Sequence, residues 1–469
     1  MRASVALTSI TLFPIQREVG RSVDRAAPSQ GVEVLKFRFY LGPMMALCAV
    51  LLASCGGKSS SSATASVRLV NATNTHSSLV LLANAAIVGA ATAVDSVSDY
   101  VGVTVGSPTL QVNDGVTSAA LATLSPSVGG GAHYILVAYE NGGIVRTTVI
   151  AEDVAVPAAG TASLRAFNAA TDAGAIDVYV TDPAANIATL TSPTFSFGTS
   201  TVLQTSGFLS ITPGTYRVRV TGAGNTSDLR LDIPSVTLTS AGVASLLLTP
   251  TSGGTLVNGA FLAQQSTYTA ARNKNARVRL AAAVAAAAAS QPSLVTASSG
   301  TTPIGTAVAS PAVGAYTLVP AGGPLNISVN GGSVGAPAAV PTAGSDTTLL
   351  VYGPAATATA SLITDDNHLP TVATNLKLRL INGITGAAAP PLTLNAAFAV
   401  LASNVQPGTA SVYGVVGAST SLRLDVFSPN SLTPLFPALN SLSVPGNAVY
   451  TLFVLGDAGA PSALLQRDR

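Results

Sequence analysis

Apolar and polar positions alternate through four short segments that open alike: VRLVNA at 67–72, LRAFNA at 164–169, VRLAAA at 278–283 and LRLING at 378–383. Such alternation predicts a half-buried strand, with one face toward a core and one toward water. The arginines of these segments, Arg68, Arg165, Arg279 and Arg379, are separated by 97, 114 and 100 residues. A period near 100 residues marks a repeated unit, and that repeat constrains the fold more than any single element does.

The middle of each copy repeats as well. Tyr100, Phe208 and Tyr316 each stand six residues before a glycine (Gly106, Gly214, Gly322), and Tyr413 stands four before Gly417. The strands TLQVND, TYRVRVT, PLNISVN and SLRLDVF follow, so an aromatic, a turn and a strand predict a hairpin packed on a core. Further glycine turns at Gly131, Gly242, Gly344 and Gly446 lead into strongly apolar strands. Three copies close on a polar pair, Glu152 and Asp153, Gln264 and Gln265, or Asp365 and Asp366, and the fourth ends at Gln466, Arg467 and Asp468.

Turn signals every 8 to 12 residues leave room for about seven strands per copy. The expected fold is therefore all-β, a tandem array of immunoglobulin-like β-sandwich repeats at 67–156, 160–270, 275–369 and 374–469. Strands of about eight residues rise about 26 Å, so four units end to end would make a rod on the order of 100 Å. The alanine run at 281–289 has high helix propensity, but its place in the repeat predicts a first strand and loop, with room for a short helical turn.

Ahead of the repeats lies an apolar run at 44–52. Nine residues fall far short of the roughly 20 that a membrane-spanning helix needs and suit the core of a signal peptide. Lys36 and Arg38 lie upstream, Ala53 and Ser54 are small, and Cys55 opens onto Gly56, Gly57, Lys58 and four serines, a flexible tether over 55–66. The stretch Leu52, Ala53, Ser54, Cys55 resembles the lipobox of bacterial lipoproteins. That resemblance implies cleavage between Ser54 and Cys55, acylation of Cys55 and a membrane held through the acyl chains. Gly56 stands where an aspartate is associated with inner-membrane retention, which favours the outer membrane. Residues 1–54 are then leader and signal peptide, and a start near Val34 or Leu35 would leave 1–34 untranslated.

Composition narrows the function. Of 469 residues only 9% are charged and 5% aromatic, with no tryptophan. Six of the 22 basic and three of the 20 acidic residues precede Cys55, which leaves 16 against 17, or −1, for the remainder. Nucleic acid needs a net basic face, so it is not expected as a partner. Cys48 lies in the signal core and Cys55 is the acylation candidate, so no disulfide or thiolate metal site is expected. The mean hydropathy of +0.49 comes largely from alanine and valine, and the run at 280–289 is too short to span a bilayer.

Candidate chemistry is sparse. His76, His133 and His368 occupy three different positions in three repeats, and the Gly-x-Ser-x-Gly elbow is missing, so no enzyme and no cofactor are expected. Asp365, Asp366, Asn367 and His368 form the densest polar cluster, and Asp365 and Asp366 are the candidates for a calcium ion at a junction. Their counterparts Glu152, Asp153, Gln264 and Gln265 favour an ordinary, solvated repeat end instead. The recurring arginines would form either a ligand stripe or local bonds to a carboxylate or carbonyl, and the local role is the simpler reading. Gly322, Gly323, Gly331 and Gly332 read as hairpin turns, because no Lys-Ser or Lys-Thr follows them. An outer-membrane barrel is disfavoured by the lack of aromatic girdles.

The VRLVNA start, the strand Ile176, Asp177, Val178, Tyr179, Val180, the aromatic before a glycine turn and the acidic pair before the next arginine strand resemble the domain-of-unknown-function family 4397 of secreted and lipid-anchored bacterial envelope proteins. The resemblance extends over nearly all of 66–469, strongest in the second copy and weakest in the third, where Ala282 replaces the asparagine. It implies architecture and an envelope location, and no activity. The expected function is a non-catalytic cell-envelope lipoprotein, a surface stalk, adhesion or protein-interaction module. The alternative is a periplasm-facing binding protein for cell-wall polymer or glycan. Expected partners are the membrane, through Cys55, and an envelope or surface protein or glycan.

Overall fold

The computed structural model describes residues 63–286, 291–386, 389–429 and 431–469. Ser54, Cys55 and the leader lie outside the described residues. Every regular element among those described is a strand or a single 3₁₀ turn, and no helix among them is long and apolar enough to cross a membrane.

Four similar units follow one another, each made of two sheets around its own apolar core. The opening strands are Thr64–Ala72, Ala162–Asn168, Asn275–Val284 and Asn375–Thr385. Each runs parallel to a late apolar strand, His133–Asn141, Val243–Pro250, Asp346–Gly353 or Ala448–Asp457. A closing strand then folds back antiparallel on the late strand: Ile144–Ala151, Val257–Ala263, Thr359–Asp365 or Ser462–Arg467. The second sheet of each unit holds the hairpin strands that the aromatic and glycine signals predicted, Leu110–Asp114, Gly214–Gly222, Leu325–Val329 and Ser419–Phe427. The alanine run continues the third opening strand to Val284, without a helical turn up to residue 286; the rest of the run lies outside the described residues.

Two expectations are corrected. The opening strands are buried beyond alternation: in Asn375–Thr385 every residue after the first is buried, and Ala162–Asn168 alternates only over its first half. Nor do the units form a rod end to end. Units 1 and 2 pack the outer faces of their opening sheets together over Val70, Tyr139, Phe167, Leu247 and their neighbours, and units 3 and 4 do the same over Ala281, Leu350, Ile381 and Phe453. A strand covered on both faces loses its polar alternation, as strands buried between layers do. The outcome is two tiers of two units each.

The tiers meet through glycines. Gly253 accepts from the backbone of Asn367 and donates to the carbonyl of Gly344 at 2.9 Å. A Cβ on Gly253 would sit 2.5 Å from the Asp346 nitrogen, and one on Gly254 (φ 82°) 2.5 Å from that of His368. Only a residue without a side chain permits that approach. Between units 2 and 3 the chain does not cross at Gln264 and Gln265: a further strand, Tyr268–Ala271, intervenes, and Asn273 ties the crossing to the carbonyls of Arg230 and Val257.

Candidate functional site: the cleft between the tiers

The four arginines occupy one structural position, and each has the recurring aromatic ring beneath its guanidinium. Arg68 lies 4.9 Å from the ring centre of Tyr100, Arg165 4.5 Å from Phe208, Arg279 4.6 Å from Tyr316 and Arg379 4.6 Å from Tyr413. Two residues beyond the arginine's level on the closing strand stands Glu152, Gln264, Asp365 or Asp468. Arg68 is paired with Glu152 of its own unit, and its Nη1 donates to the Ser266 carbonyl of unit 2 at 2.9 Å. In the other pair the partners are exchanged: Arg279 of unit 3 bonds Asp468 of unit 4, and Arg379 of unit 4 bonds Asp365 of unit 3. Arg165, in the same unit as Gln264, bonds no carboxylate and donates instead to Ser245 Oγ and to the Ala151 carbonyl of unit 1.

These contacts correct the picture of solvated repeat ends. Glu152 is 3% exposed and Asp365 fully buried, whereas Asp153, Gln265 and Asp366 keep substantial exposure. Asp365 and Asp366 also diverge rather than converge. Asp365 is committed to Arg379, Tyr316 and Thr348, while Asp366 turns outward to His368 and Lys377, both at 2.6 Å. Among the described residues no three His, Cys, Asp or Glu side chains are grouped to hold a metal ion. Burial and the Glu152 bond push the Tyr100 hydroxyl far above its usual range, and burial does the same to Tyr316 and Tyr413.

Where the tiers meet, a cleft of about 860 Å³ opens between units 1, 2 and 4 and the connection from Asp366 to Thr371. Its volume lies in the range of small-molecule sites. Glu140 of unit 1 is 3% exposed, and its carboxylate accepts from the Asn74 and Thr75 backbones at 3.2 Å, holding their loop at the rim. His368 reaches across with Nδ1 on Asp366 and Nε2 at 3.1 Å from the Thr251 carbonyl and 3.0 Å from Asn74 Nδ2. Lys377 sends its ammonium to Asp366 and to the carbonyls of Asp366 and His368. Burial would raise Asp366, but the bonds from His368 and Lys377 outweigh it and hold the carboxyl well below the usual range. Asp172, in the 3₁₀ turn Thr171–Ala173 of unit 2, is raised by its burial.

Of the histidines, His76 sits on Asp114 at 2.7 Å, His133 on Asp153 at 3.1 Å and His368 on Asp366. Glu140, Asp172 and Lys377 are the cleft residues that sequence reasoning passed over. No repeat position marks them, because the cleft exists only once the tiers stack.

No curated protein matches the sequence. A structure of a candidate cell adhesion protein from Bacteroides uniformis aligns with 44% of this chain and 98% of its own, at 13% identity and a TM-score of 0.20. The Bacillus anthracis TIE protein aligns with 81% of this chain and 65% of its own, at 9% identity and a TM-score of 0.13. Likenesses this remote assign no function. Residues 65–179, which take in unit 1 and the beginning of unit 2, match the family described as Domain of unknown function (DUF4397).

Proposed function

We propose that the chain is a non-catalytic envelope lipoprotein, held in the outer membrane by acyl groups on Cys55, whose immunoglobulin-like units form a module for adhesion or protein interaction. The observation that carries this reading is where the scarce charges go. Asp365 and Asp468 are used up in joining units 3 and 4, Glu152 holds Arg68 of its own unit and accepts from the Gln265 backbone of unit 2, and each histidine rests on its own aspartate, apart from the others. Hydrolysis would further need a nucleophile on one of these histidines, and among the described residues their ring nitrogens bond carboxylates, a carbonyl and an amide.

A second reading, glycan binding, is favoured by one feature. Phe398 is 75% exposed on a hairpin tip at φ 68°, beside Arg423 and its partner Asp425. A bulky residue held there is strained, and exposed aromatic faces suit sugar stacking.

The anchor is tested by Cys55→Ser. Several acyl chains hold a protein far more firmly than one, so the unaltered protein should sediment with membranes and the variant should not. A variant that still sediments refutes the anchor. Protease treatment of intact cells then separates a surface module, which is cut, from a periplasm-facing one, which is spared.

A further inference from the structure

We propose that the cleft between the tiers binds a primary ammonium group on an aliphatic chain, with Asp172 as its anionic partner and Val412 and Val415 as the wall for the methylenes. Three carboxylates line the cleft, and two are already filled: Glu140 by the Asn74 and Thr75 loop, Asp366 by His368 and Lys377. Asp172 is 6% exposed, yet its one hydrogen bond among the described residues is a long contact from the Gly142 nitrogen, at 3.5 Å. Buried carboxylates are ordinarily paired or fully hydrogen-bonded. His368, Lys377 and Arg469 lie near enough to attract it, but none bonds it: His368 is held by Asp366, Thr251 and Asn74, Lys377 by Asp366 and the carbonyls of Asp366 and His368, and Arg469 donates to the Gly254 carbonyl.

A metal ion does not fit this space, since among the described residues no three acidic or imidazole ligands converge. An ammonium does, because it needs one carboxylate and neutral oxygens, and the hydroxyl-bearing residues Thr75, Ser252 and Ser411 are part of the same lining. In the same lining Val412 is 85% and Val415 61% exposed, apolar surface of the kind that aliphatic stems cover while their charged heads stay polar-solvated. The site depends neither on the anchor nor on the adhesion reading, so each can fail without the other.

The ammonium can belong to a free amine or to a lysine of a partner protein, and the probes separate the two. The purified full-length chain in detergent is titrated calorimetrically with cadaverine and with an acetylated, amidated Ala-Lys-Ala peptide. Saturable binding of cadaverine alone identifies a free amine; binding of the peptide, with or without cadaverine, identifies a protein side chain. Asp172→Asn should weaken either at least tenfold, and the exposed double change Val412→Ser, Val415→Ser several-fold. Absence of saturable binding for both probes overturns the proposal, as does unchanged affinity in Asp172→Asn. Should Asp172→Asn fail to fold, unchanged affinity in the double valine variant overturns it.

Discussion

Units 1 and 2 are joined mainly by apolar contact, whereas units 3 and 4 are joined around a closed set of charges. The first interface buries twelve apolar residues, Tyr139, Phe167 and Leu203 among them, and holds one buried arginine–carboxylate pair, with the exposed Arg272 on Asp95 at 3.3 Å as a second at its rim. The second buries six, with Ala281 and Ala283 in the middle, and holds Arg279, Arg379, Asp365 and Asp468 together. The origin of the difference is two substitutions in unit 2: Gln264 stands where the other units have an acid, and Phe208 where they have tyrosine. Without a carboxylate Arg165 remains half-buried, and larger side chains fill the contact. A buried ion pair gains little over apolar packing of the same volume, but removing one partner is costly. The two interfaces should therefore differ in fragility more than in strength.

The harshest way to break the comparison is Asp365→Ala. It strands the buried Arg379 while Arg279 keeps Asp468, at a cost of about 3–5 kcal/mol, and should raise amide hydrogen exchange in units 3 and 4 before units 1 and 2. Equal loss of protection in both tiers would show that the charges do not sustain the interface locally.

A milder change makes the two pairs alike. Asp468→Asn leaves units 3 and 4 with one carboxylate and one amide, as in units 1 and 2, and Arg279 keeps Asp365 at 3.7 Å. The loss of a charge-assisted bond should cost about 1.5–3 kcal/mol in chemical denaturation. An unaltered midpoint would mean that Asp468 contributes nothing as an ion.

The smallest effect is alkaline. Tyr316 and Tyr413 hold their protons in the folded state to higher pH than an unfolded tyrosine, so the unfolded chain loses protons first. Stability from these groups is complete below about pH 10, the ordinary tyrosine value, and declines above it as the unfolded state is favoured. Tyr316→Phe with Tyr413→Phe should flatten that decline, measured as melting temperature from pH 9 to 11. Tyr100→Phe should flatten it less, since its partner position in unit 2 is already Phe208. A reversed ranking would contradict the assignment of burial to the second tier.

Much of the architecture is legible in the chain. The 97, 114 and 100-residue spacing of Arg68, Arg165, Arg279 and Arg379 gives four units, and alternation with glycine turns gives strands and two-sheet units, because period-two patterning is a local property. Asp468 marks the end of the fourth copy, but no spacing in the pattern shows its equivalence to Asp365. What pattern could not decide is which unit touches which. Val70 and Phe167 look like ordinary strand residues until two outer sheet faces meet, and Gly253 and Gly254 look like turn glycines until a neighbouring backbone approaches within 3 Å of the missing Cβ. Asp172 likewise becomes a buried, nearly unpartnered carboxylate only when three units close around it. Local sequence sets each unit's own core, since those contacts recur at a fixed period. The pairing, the tiers and the cleft depend on shape and charge fitting across separate units, which no period in the sequence encodes.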